Sequence, residues 1–177
     1  MFFSSAKPFY NSADQLNLNP LKIDIYSDFV KLWMERYEKT IDIDAFRFYY
    51  EKFEGTTYYL QKMMHEAFID CDTGAVCDKT LLDKTYANML EEARENTSKL
   101  LGTLTEHQKN ALYAIAREGK AERVLSAAFI KRHALVSTSS MQSAIKKLIE
   151  MELISTHNST YSVSDIMMRL YITEGMD

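Results

Sequence analysis

Glycine and proline are scarce in this chain, five and two among 177 residues. A sandwich or barrel that turns every ~8–12 residues would have little to turn on. Cys71 and Cys77 are the only cysteines, separated by five residues, a spacing that suits neither a secreted disulfide framework nor a zinc site. They are expected to be unpaired, solvated thiols in a polar loop. No stretch approaches the ~18 consecutive apolar residues needed to span a bilayer. The start, Met1-Phe2-Phe3-Ser4-Ser5, lacks the basic and apolar regions of a secretory signal. These absences place the chain in the cytosol, where Asn96-Thr97-Ser98 and Asn158-Ser159-Thr160 have no route to glycosylation.

Catalytic patterns are missing as well. There is no G-x-x-x-x-G-K-[ST] phosphate loop and no strand ending in acidic residues that could hold magnesium, so this chain cannot cradle a triphosphate alone. The histidines are scattered at positions 65, 107, 133 and 157. No nucleophile stands beside a base, and no His/Cys/carboxylate set suits a metal. The sequence therefore nominates no catalytic residue, no metal and no cofactor for this chain.

What it has in quantity is 10 Met, 11 Tyr and 9 Phe, with 46% hydrophobic and 26% charged residues and a formal net charge of −4. That is the make-up of a globular, mainly helical protein. The charge is uneven: residues 1–103 carry 12 basic against 17 acidic side chains, and residues 104–177 nine against eight. A seam near Gly102 follows, with one unit over 1–102 and a second over 103–177. No Gly/Ser linker, like-charge run or repeat interrupts either.

In the first unit, Asn19-Pro20 offers a turn or helix start. From about Asp24, Ile25, Phe29, Leu32, Trp33 and Tyr37 recur at three- and four-residue steps and predict the buried face of a helix. Asp42 caps a second helix with Phe46, Tyr49, Tyr50 and Phe53 inward, and Gly55 supplies its left-handed stop. Thr56 caps a third, whose face is Tyr59, Leu60, Met63, Met64, Ala67 and Phe68; of Tyr58 and Tyr59, one must look outward. His65 on this helix reads as a surface or core histidine. Asp78 caps a fourth helix through Leu82, Tyr86, Met89, Leu90 and Ala93, with charges at 91, 92, 94 and 95 toward water. Four amphipathic helices make a small bundle, and its aromatic and Met stripes read as core.

In the second unit, Thr105-Glu106-His107-Gln108 is a capping box opening a helix through Ala111, Leu112, Ile115 and Ala116 to Gly119. Ser126 caps a short helix carrying Phe129 and Ile130. Ser137 caps another with Met141, Ala144, Ile145 and Leu148 inward. Leu153 to Thr156 and Tyr161 to Val163 alternate apolar and polar around His157-Asn158-Ser159, a tight hairpin; Asp165 caps a final helix. The fold class is mainly α, a four-helix bundle followed by a winged helix-turn-helix with a small β-hairpin. In such a fold the third helix can enter a DNA major groove, which would present Thr138, Ser139, Gln142, Ser143, Lys146 and Lys147. That helix has no Arg, the commonest reader of guanine. The hairpin has neither Lys nor Arg, so the charge balance predicts weak or absent DNA binding.

The ordered segments Lys7-Pro8-Phe9-Tyr10, Leu16-Asn17-Leu18, Phe53-Glu54-Gly55-Thr56-Thr57-Tyr58-Tyr59-Leu60-Gln61, Leu104 to Gln108 and Ala114 to Gly119 look familiar together. With Ser139-Ser140-Met141, Glu152-Leu153-Ile154 and Tyr161 to Asp165, they resemble the bacterial and archaeal-type P-loop ATPases of the AAA/STAND lineage. Only the portion after the nucleotide-binding core is covered: the helical lid and the C-terminal winged helix. The resemblance implies a parent that binds ATP and magnesium, a lid-like bundle whose turn Gly55, Thr56, Thr57 and Tyr58 lies near the nucleotide, and an ATPase core as partner in cis or in trans. Lys7 stands where the family usually has Arg, Thr57 where related lids often have Pro, and Leu170 where Trp is usual. Two functions follow as expectations: a non-catalytic regulatory region contacting an ATPase core, or a winged-helix DNA-binding regulator.

Overall fold

A computed structural model describes residues 20–175; the motif segments at 7–10 and 16–18, and Asn19, lie outside the described residues. The chain runs α1 (Ile23–Arg36), β1 (Thr40–Ile41), α2 (Ile43–Lys52), α3 (Thr57–Asp70), β2 (Val76–Cys77) and α4 (Lys79–Leu101). It continues through α5 (Glu106–Glu118), β3 (Ala121–Glu122), α6 (Ala127–Arg132), α7 (Thr138–Glu150), β4 (Ile154–His157), β5 (Thr160–Val163) and α8 (Ile166–Glu174). The mainly helical class and the terminal hairpin are as the periodicities predict.

Local chemistry explains the boundaries. The Asp42 carboxylate accepts the Asp44 and Ala45 amides at the start of α2, Asp78 accepts that of Leu81, Ser126 that of Phe129 and Ser137 that of Ser140. The Thr105–Gln108 capping box forms reciprocally. Each satisfies an amide that helix geometry orphans. Thr56 takes the N-cap position of α3 without a side-chain bond. Gly55 adopts φ +68°, and a Cβ there would stand 2.9 Å from both the Pro20 Cβ and the Tyr50 hydroxyl, so both the backbone and the packing require glycine. The hairpin turns on Asn158 and Ser159, both at positive φ, as a two-residue loop that follows strand twist demands.

Three short strands were not foreseen. β1 and β2 pair in parallel, Thr40 opposite Val76 and Ile41 opposite Cys77, and β3 joins the hairpin in the order β3-β5-β4. Two-residue strands carry no periodicity to read. The first pair corrects the reading of the cysteines: both are free but buried, because the Thr40 and Asp42 amides bond to the Ala75 and Cys77 carbonyls and draw the loop onto the bundle. Cys77 behaves as a small hydrophobe; burial, and then the neighbouring Cys71, push its thiol up to about 12.

There are two cores. One gathers Tyr26, Val30 and Met34 of α1 with Phe46, Phe53, Leu60, Met63 and Leu82. The other gathers Leu101, Leu112, Ile115, Phe129, Met141, Leu148 and Ile154. α8 belongs to both, giving Met167 and Leu170 to the first and Tyr171 and Ile172 to the second.

The predicted face of α1 is overturned. Tyr26 and Met34 are 3% and 2% exposed, whereas Ile25, Phe29, Leu32, Trp33 and Tyr37 are surface residues and Leu32 is 68% exposed. Tyr26 meets Phe46 edge-on at 5.4 Å, so the stripe that packs on α2 is the one containing Tyr26. Phe46→Ala should therefore lower unfolding free energy by ~3–5 kcal/mol, while Leu32→Ala should stay within ~0.5 kcal/mol of the parent. Urea unfolding followed by circular dichroism checks both, and equal losses would contradict this assignment of faces.

Candidate interaction surfaces

The helix-turn-helix surface is built from α6 and α7 on the second core. Met141, Ala144, Ile145 and Leu148 turn inward, which leaves Thr138, Ser139, Gln142, Ser143, Lys146 and Lys147 exposed along one side of α7. The structure thus brings the six nucleic-acid candidates together. Their chemistry is muted. The Thr138 hydroxyl donates to the Leu125 carbonyl at 3.5 Å, the Ser139 hydroxyl lies 3.1 Å from that of Ser137, and the Lys147 ammonium pairs with Glu150 at 3.2 Å. On α6, Arg132 is drawn 2.7 Å onto Glu118, which also lies 2.9 Å from the His133 ring. The hairpin presents hydroxyls: Ser155 and Ser162 approach at 3.2 Å across the strands.

Of the turn Gly55, Thr56, Thr57 and Tyr58, only Thr56 lines a cleft of about 280 Å³ whose walls also include Glu54, Tyr59, Lys120, Asp165 and Arg169. The Tyr59 hydroxyl donates to both Asp165 oxygens at 2.8 and 2.9 Å. Arg169 pairs with Glu54 at 2.7 Å. Burial, and then the Asp165 carboxylate, hold the Tyr59 phenol well above its ordinary range. The polar groups that flank this turn, Glu54 and Tyr59, are thereby paired with Arg169 and Asp165 at the start of α8. Of the pair, Tyr58 looks outward and Tyr59 is half-buried.

The third surface was missed as a surface. Along the outside of α1, Phe29 meets Trp33 edge-on at 6.4 Å, Trp33 stacks on Tyr37 at 5.4 Å, and Tyr37 meets Phe68 of α3 edge-on at 5.2 Å. Between α1 and α3 lies an open groove of about 390 Å³ lined chiefly by Phe29, Trp33, Tyr37, Met64, His65 and Phe68. Cations border one end: the Lys39 ammonium sits 4.1 Å from the Phe68 ring and donates to the Phe68 carbonyl at 2.6 Å, and Arg36 lies 5.8 Å over Trp33. The signal was present in the sequence. Tyr26, Val30 and Met34 form a second apolar stripe beside the first, and a helix apolar over that much of its circumference has two surfaces to cover.

Residues 95–174 match the model of a family described as a probable winged helix domain. A winged helix domain is present. Its match begins within α4 and takes in α8, the two helices that also reach the first core. No curated protein matches the chain. Among the described residues no helix is long and apolar enough to cross a membrane.

Inside the winged helix, the Glu118 carboxyl is held below its ordinary range by its bonds to Arg132 and then His133. A lowered carboxyl pKa contributes stability that is complete above the unfolded-state value of ~4.3 and is lost as pH falls through the folded-state value. Glu118→Gln should flatten the acid limb of a stability-versus-pH curve as pH falls below the ordinary glutamate value of ~4.3, with the difference from the parent vanishing at the lowest pH. Thermal melts across that range measure it.

Proposed function

We infer that this chain is a non-catalytic regulatory region that works through contact with another protein, an ATPase core of the AAA/STAND lineage in cis or in trans. The exposed aromatic face of α1 carries the reading. Solvent-facing Phe, Leu and Trp at consecutive turns of one helix cost solubility and contribute nothing to either core, and a patch of this kind is ordinarily covered by protein. The resemblance of the ordered motifs to the region after a nucleotide-binding core supplies the kind of partner. Coupling has a physical route, because the bundle bearing the α1 face is joined to the winged helix through α8 and the Tyr59–Asp165 and Arg169–Glu54 contacts.

The alternative is a DNA-binding regulator, and a specific observation favours keeping it: the winged helix is present, with Thr138, Ser139, Gln142, Ser143, Lys146 and Lys147 displayed together. Against it stands the scarcity of cations. Affinity for DNA scales with the number of phosphates neutralised, and α7 offers two lysines, one of them bonded to Glu150.

Two measurements separate the readings. A P-loop core encoded in frame upstream or in an adjacent gene should change its ATP turnover several-fold when this chain is added. Phe29→Glu with Leu32→Glu should abolish that effect while leaving the fold intact. No change in turnover with any such core rejects the inference. In a mobility shift, the chain should bind duplex DNA no tighter than the ~10⁻⁴–10⁻⁶ M of non-specific complexes. Tight, salt-sensitive binding lost in Lys146→Ala with Lys147→Ala would establish the DNA-binding alternative instead.

A further inference from the structure

We propose that the outer stripe of α1 is a dimerisation face: two copies of this chain pair there antiparallel, about a twofold axis at Leu32, and pairing withholds the face from the partner it serves. The proposal rests on the functional reading only for that last clause. The pairing itself is argued from the residues of α1.

The stripe is apolar along its length and carries one charge of each sign. Ile25, Phe29 and Leu32 are 61%, 51% and 68% exposed, and Trp33 and Tyr37 are exposed beside them. Leu32, the most exposed, stands midway between Asp28 and Arg36. Each lies four residues away, one turn along the same side of the helix, and both are exposed. Laying a second α1 antiparallel on the first, with the twofold at Leu32, sets that leucine against its own copy. Positions equidistant from the axis then exchange places, so Asp28 of each copy comes level with Arg36 of the other. Phe29 and Trp33 flank these two ion pairs and shield them from water. The stripe thus holds both halves of its own complement, as an interface about a twofold requires.

Other occupants match it less well. A lipid surface calls for cations along the polar border of an amphipathic helix, whereas Asp24, Asp28 and Glu35 border this stripe together with Lys31 and Arg36. A partner of single charge sign would suit one end and oppose the other. Size agrees with a second copy. The five apolar side chains with Asp28 and Arg36 expose roughly 700 Å² on each copy, a little under the ~800 Å² that each side gives to a standard interface. A reversible dimer follows, with a Kd on the order of 10 μM, and a protein partner of higher affinity can displace it.

Sedimentation velocity of the full chain from about 1 to 200 μM, either side of that Kd, should show the mass climb from monomer toward dimer. Trp33, the sole tryptophan, should shift to the blue over the same range. Leu32→Glu should weaken pairing at least ~10-fold with far-UV circular dichroism unchanged. Asp28→Arg and Arg36→Asp should each weaken it too. Combined in one chain they should restore it to within about threefold of the parent, since both ion pairs are then reversed and neither is lost. A parent that stays monomeric throughout overturns the proposal. Association that persists undiminished in Leu32→Glu places the contact elsewhere and also overturns it, and absence of rescue in the double variant rejects the twofold at Leu32. Blue-shifted Trp33 in a monomer bound to phosphatidylserine vesicles, with no dimer at any concentration, would make lipid the occupant instead. Dimers with no ATPase core responding would reject the functional reading and leave this inference standing; a responding core with a chain that never pairs would do the reverse.

Discussion

The carboxylate of Asp165 is the point on which the relation between the two halves depends. It accepts the Met167 and Met168 amides and so starts α8, and it accepts the Tyr59 hydroxyl from α3. One residue thus fixes where the last helix begins and which part of the bundle it meets. From that origin α8 places Met167 and Leu170 among the bundle residues and Tyr171 and Ile172 among those of the winged helix. At its far end Glu174 receives Lys52 and Tyr86 at 2.9 and 2.8 Å. A helix held at both ends and buried on two sides couples its neighbours more firmly than a loop can, because interior packing tolerates little displacement.

This arrangement bears on the winged helix as a functional unit. A recognition helix that reads DNA alone needs a cationic rim and freedom to dock. Here the lysines of α7 are few, and the domain is joined by α4 and α8 to a bundle richer in acidic than basic side chains. The same geometry suits the proposed role: a protein seated on α1 would load the bundle, and α8, buried in both cores, would carry that load to the second. The polar cleft at the Gly55 turn lies on that route, its Arg169 and Asp165 held by Glu54 and Tyr59 from the bundle side.

The α1 face shows how one stretch of sequence can serve two surfaces. Tyr26, Val30 and Met34 satisfy the fold, and Phe29, Trp33 and Tyr37 line a groove open among the described residues. Stability selects the first set. The second set works against solubility in the free chain, which is a reason to seek its role in recognition.

Caps and periodicity were legible from local chemistry alone. An orphaned amide needs an acceptor within three residues, so Asp42, Asp78, Thr105, Ser126, Ser137 and Asp165 announced their helices, and the inward residues of α7 announced its outward ones. The hairpin was legible because its alternation has period two. Choosing between the two stripes of α1 was beyond local reading, since either would serve as a core face until α2 and α3 fix which side is occupied. The short strands β1, β2 and β3, the burial of Cys71 and Cys77, and the sharing of α8 were likewise settled by tertiary structure. They rest on pairings between residues far apart in the chain, and nothing within a helical turn of any of them records its partner.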